Sequence, residues 1–163
     1  MAAPTRNHQR IVLRLGTLFD NYLEKSRYQA FVAPFDVRLL DQKKIANSNK
    51  NVYSVVQPDV CVICDEKKLD DKGCEGSPDL IVEILSPSTK KKDIEDKFEL
   101  YEFNGVKEYW IVSVNDETIT VFDLNEQGKY QLRKIYADDE SIIASSSVEG
   151  FTMKMERVFS AIR

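Results

Sequence analysis

The chain lacks the features that mark several large classes of protein. It contains no run of about 18 apolar residues, so the sequence predicts no membrane-spanning helix. Residues 1–7 are too polar for a signal peptide. We therefore expect a cytoplasmic protein that makes no membrane contact. A length of 163 residues is enough for a sizeable core, and we expect one domain over residues 1–163.

Cysteine and histidine are scarce, with three residues and one residue respectively. An odd cysteine count without a signal peptide argues against a disulfide framework. Cys61 and Cys64 form a C-x-x-C motif, but the surrounding residues 60–64 resemble a strand, on which residues three apart face opposite sides. No second C-x-x-C motif is present, and His8 is the only histidine. The cysteines are therefore interpreted as small buried hydrophobic residues rather than zinc ligands.

The net charge is −4, which is not typical of a nucleic-acid-binding protein. It does not exclude one, because catalytic acids and their bound metal ions offset each other locally. Basic residues cluster at Lys43–Lys44, at Lys50 and above all at Lys90, Lys91 and Lys92. The three consecutive lysines could contact backbone phosphates, or they could simply form the solvated face of a helix.

One acid stands inside an apolar run. Residues 80–85 are otherwise valine, isoleucine and leucine, and they carry Glu83 in the middle. Such a run, bounded by Pro78 and Pro87, predicts a buried strand. A buried ionised carboxylate is unfavourable by several kcal/mol unless it is paired or bound to metal. Glu83 is therefore a candidate functional residue.

The remaining pattern predicts an α/β or α+β fold around a central mixed sheet, followed by a C-terminal β-hairpin. Residues 41–51 and 65–77 are interpreted as loops, and Ser88 or Thr89 as the N-cap of the second helix. The tail, residues 142–162, is expected to hold one or two short elements. The predicted elements are a helix over residues 7–25, strands over 30–40, 80–85 and 108–114, a helix over 90–103, and a hairpin over 118–136. Residues 52–63 also have strand character, with a kink at Pro58 and the second strand proper starting at Asp59.

Two further polar residues can meet Glu83. Asp59 begins the strand that precedes it in sequence, and strands consecutive in sequence are usually neighbours. Lys97 lies on the helix that follows, on the same face as Asp93 and Tyr101, because the three are spaced four apart. Two convergent carboxylates suit Mg²⁺, and a nearby lysine suits the charge of a phosphate. The ordinary alternative is that Asp59 and Lys97 are solvated surface residues.

These residues also lie in sequence blocks that resemble a known family, the Uma-two family of the PD-(D/E)xK nuclease superfamily. The resemblance covers almost the whole chain, and the combination of blocks is specific although each block alone is not. The blocks are residues 8–11 with the helix that follows, 31–39, 57–60, 77–89, Asp93, Lys97, Tyr101 and 105–112.

The resemblance implies a restriction-endonuclease-like αβββαβ core with a metal site. Pro58-Asp59 would supply the PD element and Glu83 the acid of the second element. Leu85 stands at the usual lysine position, so the chain is similar to variants in which the lysine has moved to the helix, here Lys97. The implied activity is hydrolysis of DNA phosphodiester bonds with Mg²⁺ or Mn²⁺, and the implied assembly is a homodimer.

Four more residues are possible accessory members of the site: His8, Asp79, Asp93 and Tyr101. Asp79 shares a strand face with Glu83, but four residues at about 3.3 Å each put it roughly 13 Å away, at the rim. A lone histidine at a helix start is usually a surface residue, although His8 could approach the site from there. Family members usually carry a strand region with a glutamate before the segment matching His8, whereas this chain starts almost at that segment.

Two other functions fit the same residues. The protein could be a catalytically inactive binding or assembly protein built on the nuclease scaffold, which the acidic net charge and the short N-terminal segment favour. It could also be a metal-dependent phosphodiesterase that acts on RNA. Neither a helix-turn-helix nor a zinc module for base readout is visible in the sequence.

Overall fold

The computed structural model describes residues 3–48 and 50–163. In these residues there are four α-helices, one short 3-10 helix (Glu66–Lys68) and twelve strands, and the strands form three sheets. The helices are α1 (Arg6–Leu23), α2 (Gln42–Ser48), α3 (Lys91–Phe103) and α4 (Met155–Phe159). The strands are β1 (Gln29–Val32), β2 (Val37–Leu40), β3 (Tyr53–Val56), β4 (Val60–Ile63), β5 (Leu69–Asp70), β6 (Gly73–Glu75), β7 (Leu80–Leu85), β8 (Glu108–Ser113), β9 (Thr118–Leu124), β10 (Tyr130–Tyr136), β11 (Ile142–Ala144) and β12 (Thr152–Lys154).

The central sheet has six strands in the order β1-β4-β7-β8-β9-β10. The pair β7–β8 is parallel, and the other pairs in this sheet are antiparallel. A parallel pair needs a crossover, and α3 supplies it between β7 and β8. This arrangement confirms the predicted α/β fold with a central mixed sheet and a C-terminal hairpin.

Both faces of the central sheet are covered. Alternate residues of β7 point to opposite faces, so Leu80 and Val82 join the core cluster beneath α1, while Ile81 joins the cluster that contains Tyr101 of α3. Glu83 has the same strand parity as Ile81 and therefore faces α3. Burial on both faces explains why this strand is almost continuously apolar in sequence.

Helix α1 forms because its apolar residues recur at helical spacing, and its buried stripe packs on β1, β4 and β7. The side chain of Thr5 caps it by accepting a hydrogen bond from the amide of His8 at 3.2 Å. This cap places His8 in the first turn, at the end of α1 that meets the sheet beside Asp59. Among the residues that the structure describes, no helix is long and apolar enough to cross a membrane.

Several local predictions are wrong. Residues 30–40 form two strands in different sheets, because the chain turns at 33–36 and β2 leaves to pair with β3 and β6. Residues 41–51 include the helix α2, and residues 65–77 include β5 and β6, with Cys74 fully buried. The N-cap of α3 is Lys90, which makes no side-chain cap, while Thr89 Oγ1 accepts from the amide of Ser86 at 3.0 Å. Short polar segments of this kind are ordered by tertiary contacts that local sequence patterns do not contain.

Candidate active site

The pairing of β4 with β7 brings Asp59 and Glu83 together. Val60 pairs with Val82, and extending this antiparallel register by one residue sets Asp59 opposite Glu83. The amide of Ile84 donates to Asp59 Oδ2 at 2.7 Å, and the amide of Ala33 donates to the Asp59 carbonyl at 3.1 Å. The carboxylate of Asp59 is therefore anchored to the main chain of β7, next to Glu83.

Glu83 is buried, and both of its carboxylate oxygens are occupied. The hydroxyl of Tyr101 donates to Oε1 at 2.6 Å, and Lys97 Nζ lies 3.0 Å from Oε2. Burial raises the pKa of Glu83 above its usual range, and the nearby charge of Asp59 raises it further. Lys97 and Tyr101 act in the opposite direction, because both stabilise the ionised carboxylate.

A cleft of about 190 Å³ opens at this end of the sheet. The predicted residues Asp59, Glu83, Lys97, His8 and Asp93 all line it. The wall also contains Gln57, Ser86, Thr89 and Tyr109, which the sequence interpretation did not assign to the site. The S-x-x-T spacing of Ser86 and Thr89 was a usable signal, since hydroxyl residues at that distance often bond each other's main chain.

His8 is buried rather than exposed, so the expectation of a surface position is wrong. Its exposed fraction is 9%, and its Nε2 lies 3.2 Å from Asp59 Oδ1. Within residues 3–48 and 50–163, His8 Nδ1 finds no hydrogen-bond partner although it is buried. The hydrogen bond to Asp59 raises the pKa of His8, against the lowering effect of burial. The sequence did contain a signal for this position, because Thr5 as the N-cap fixes the start of α1 and so places His8 in its first turn.

The raised pKa of His8 can be measured directly because the chain has one histidine. We expect its imidazole proton signal in NMR spectra of the untagged protein to titrate above pH 6.5, the ordinary histidine value. Asp59→Asn should move the midpoint down, since it removes the charge that stabilises the imidazolium. Asp79→Asn, which alters a carboxylate that does not contact His8, is the matched control and should leave the midpoint unchanged. A midpoint that Asp59→Asn does not move would contradict the pairing.

The same pKa shift links His8 to stability. A histidine whose folded pKa is raised stabilises the native state fully below its unfolded pKa, and this contribution disappears as the pH rises through the folded pKa. His8→Gln should therefore lower the Tm more at pH 5.5 than at pH 8.5. Thermal melts of both proteins at the two pH values test this.

The remaining predicted residues lie in two other places. Asp79 is outside the cleft: its carboxylate pairs with Lys107 Nζ at 3.1 Å and accepts from the amide of Cys64 at 2.8 Å. Those contacts hold the start of β7, at the opposite end from Glu83. Lys90, Lys91 and Lys92 are exposed around the start of α3, beside the cleft, and Lys91 pairs loosely with Glu95 at 3.7 Å.

The donor set fits Mg²⁺ or Mn²⁺ better than zinc. Among the described residues, no three His, Cys, Asp or Glu side chains are grouped closely enough to hold a metal ion by themselves. A structural zinc site needs four protein ligands, whereas Mg²⁺ is commonly bound through one or two carboxylates and keeps several waters. Asp59 and Glu83 meet that lower requirement. Cys61 packs in the cluster that contains Tyr101, whereas Cys64 packs against the cluster beneath α1, so the two thiols lie on opposite faces of the sheet.

A mixed sheet with two acids facing each other on adjacent strands, and a lysine on the crossover helix, is the arrangement expected of restriction-endonuclease-like nucleases. The family comparison agrees. The chain belongs to the Uma2 family, described as "Putative restriction endonuclease", whose model matches residues 1–156. The predicted family is therefore confirmed, and families of this class generally use divalent metal ions.

Two relatives come from Synechocystis sp. (strain ATCC 27184 / PCC 6803 / Kazusa). Uncharacterized protein slr1290 is 29% identical over 140 residues, which cover 85% of this chain and 68% of the relative. Uncharacterized protein sll1609 is 32% identical over 115 residues, which cover 69% of this chain and 59% of the relative.

A solved structure shares the fold. It is the crystal structure of a putative nuclease belonging to DUF820 from Anabaena variabilis ATCC 29413, with a TM-score of 0.76. The match covers 98% of this chain and 84% of that one at 14% sequence identity, so it concerns the fold alone. It confirms the predicted restriction-endonuclease-like architecture.

Proposed function

We propose that this protein is a divalent-metal-dependent endonuclease that hydrolyses DNA phosphodiester bonds in the cleft between β4, β7 and α3. The observation that carries the proposal is the contact of Lys97 Nζ with Glu83 at 3.0 Å, on a strand whose neighbour β4 starts directly after Asp59. Two acids and one amine in a small cleft match the charges of a metal ion and a phosphate.

Asp59 and Glu83 would hold Mg²⁺ or Mn²⁺. When bound, the ion would polarise the scissile phosphate and favour deprotonation of a water. Lys97 would orient that water or stabilise the negative charge that develops on the phosphate. His8 would keep the Asp59 carboxylate in place through the contact at 3.2 Å. Asp93, on the exposed rim, would influence how the phosphate enters.

The size of the cleft favours an endonuclease that takes the backbone from outside. Its volume of about 190 Å³ is below the roughly 300–1,000 Å³ of typical small-molecule sites, which suits one phosphodiester group rather than a flipped base. Lys90, Lys91 and Lys92 would contact flanking phosphates, because they are exposed beside the cleft at the start of α3. Such contacts position the backbone and carry little sequence information.

Cleavage of both strands of a DNA duplex would be explained by a homodimer. One site cuts one strand, so a double-strand break needs two sites or two events. Sedimentation velocity at two protein concentrations, with and without duplex DNA, would distinguish a dimer from a monomer.

Lys97→Ala provides the direct test of the proposed reaction. We expect plasmid nicking in Mg²⁺ or Mn²⁺ to fall by about 100-fold or more, the usual effect of losing a group that stabilises the negative charge of the transition state. The matched control is Lys154→Ala, whose amine pairs with Glu140 at 3.1 Å far from the cleft and should cut like wild type.

The same assay separates the other candidate functions. Wild type that is as inert as Glu83→Ala on plasmid, single-stranded DNA and RNA would contradict a nuclease and favour the binding or assembly protein. That alternative has its own support, since the site acids are already paired with His8, Lys97 and Tyr101. Cleavage of RNA alone would favour the RNA phosphodiesterase.

A further inference from the structure

Glu83 is held from the helix side by two residues that lie one turn apart on α3. Tyr101 binds Oε1 at 2.6 Å and Lys97 binds Oε2 at 3.0 Å, so each oxygen of the carboxylate has its own partner. Each carboxylate oxygen has two acceptor sites. One acceptor site on each oxygen is therefore left free, and Glu83 lines the cleft in which a cation would bind.

The two partners differ in freedom. The side chain of Lys97 is 37% exposed and lines both the cleft and a neighbouring groove between α2 and α3. Tyr101 is fully buried, and its ring packs edge-on against Tyr109 with centroids 5.2 Å apart. Lys97 is exposed enough to turn away from Glu83 toward a phosphate, whereas Tyr101 is enclosed by the core.

This difference matters when Lys97 acts on substrate. The terminal torsion of a glutamate side chain is broad, so a carboxylate that loses its partners can rotate. Once Lys97 engages the phosphate, the bond from Tyr101 is the contact that still fixes Glu83. Tyr101 does not line the cleft, so it does not reach substrate itself.

We propose that Tyr101 is a positioning residue, which keeps the Glu83 carboxylate turned toward the metal while Lys97 is free to leave it. The proposal rests on the function proposed above, and it assigns separate roles to the two residues that bind Glu83. Lys97 is mobile and serves the reaction. Tyr101 is static and holds the metal-binding carboxylate of Glu83. Its loss should therefore change the affinity for metal more than the rate of cleavage at saturating metal.

The test compares Tyr101→Phe with Tyr130→Phe. Tyr130 belongs to the same aromatic cluster, and its hydroxyl donates to the carbonyl of Val106 at 2.8 Å without contact to Glu83. Both variants lose one tyrosine hydrogen bond of similar length. A purely structural role for Tyr101 therefore predicts the same behaviour for both.

Calorimetric titration with Mn²⁺ gives the first measurement. Tyr101→Phe should bind Mn²⁺ about tenfold or more weakly, in line with other groups that orient a metal ligand, and Tyr130→Phe should bind it like wild type. Cleavage by Tyr101→Phe should recover at saturating Mn²⁺. A Mn²⁺ affinity equal to wild type, or a rate loss that excess Mn²⁺ does not restore, would overturn the proposal.

Metal-free crystal structures give a measurement that does not depend on activity. The structures are solved in the Lys97→Ala background, in which Lys97 no longer holds Glu83 Oε2. Lys97→Ala and Lys97→Ala/Tyr130→Phe should show one Glu83 conformation, and Lys97→Ala/Tyr101→Phe should show a rotated or split carboxylate. An unchanged Glu83 in Lys97→Ala/Tyr101→Phe overturns the positioning role, even when wild type binds Mn²⁺. Wild type that neither binds Mn²⁺ nor cleaves DNA instead refutes the proposed function, and the Glu83 conformation still reports on Tyr101 separately.

Discussion

Glu83→Gln is expected to abolish DNA cleavage and to raise stability at the same time. The loss of activity should be on the order of a thousandfold, or ~4 kcal/mol of transition-state stabilisation, because the neutral amide replaces a metal-binding carboxylate. Glutamine keeps the length of the side chain and can still accept from Tyr101. The change therefore removes the charge without leaving a cavity.

The gain in stability follows from the raised pKa of Glu83, whose main cause is burial. A group with a raised folded pKa favours the native state below its unfolded pKa, and this advantage is lost as the pH rises through the folded pKa. Ionised Glu83 therefore weakens the native state at neutral and higher pH, and glutamine does not ionise. The Tm difference between Glu83→Gln and wild type should therefore grow as the pH rises from 5 to 8.

Urea denaturation at pH 5 and pH 8, with plasmid cleavage by the same preparations, measures both effects. Asp93→Asn is the matched control for stability, because it removes an exposed carboxylate at the cleft rim. Lower stability of Glu83→Gln at pH 8 would mean that the contact with Lys97 outweighs burial. Retained cleavage would refute the role of Glu83 in the site.

Glu108→Ala should give the largest loss of stability. This acid is fully buried at the start of β8, and six hydrogen bonds reach its two oxygens. The donors are the indole of Trp110, the guanidinium of Arg133, the hydroxyls of Ser145 and Ser147, and the amides of Ser146 and Ser147. Removal of one partner from a buried charged network typically destabilises by about 3–5 kcal/mol, since the others stay buried and unpaired.

The measurement is urea unfolding followed by tryptophan fluorescence, because Trp110 is the only tryptophan in the chain and donates to Glu108 at 2.9 Å. The control is Glu140→Ala, which breaks an exposed pair with Lys154 and should change the free energy of unfolding by about 0.5 kcal/mol or less. At temperatures where Glu108→Ala is folded, its cleavage rate should match wild type. If Glu108→Ala lowered the free energy of unfolding by no more than Glu140→Ala does, a structural role for this network would be contradicted.

Glu83 and Glu108 are both buried acids, but only Glu83 could be identified from the sequence alone. Glu83 was identifiable because an acid inside an apolar strand is unusual wherever the strand packs. Glu108 stands at a strand start, where an acid is ordinary. Its burial comes from serines 37–39 residues further along the chain, so it depends on a loop position that no local pattern contains.

The helices and strands also fall into two groups, those that local sequence predicts and those that depend on distant segments. Helices α1 and α3 and the hairpin β9–β10 follow from periodicity and turn residues, which are local properties. The break of residues 30–40 into β1 and β2 and the small strands β5 and β6 arise from pairing between distant segments. Cys74, in a segment interpreted as a loop, is buried because β6 pairs with β2.

By itself, the sequence determined the mixed fold, the family, and three residues with the chemistry for a phosphate and a metal ion: Asp59, Glu83 and Lys97. Their roles stay predictions until cleavage is measured. Only the tertiary structure decided which groups complete the site, since it buried His8 against Asp59 and split the two oxygens of Glu83 between Lys97 and Tyr101. The physical reason is that residue type and spacing are local, whereas hydrogen-bond partners depend on how separate elements pack.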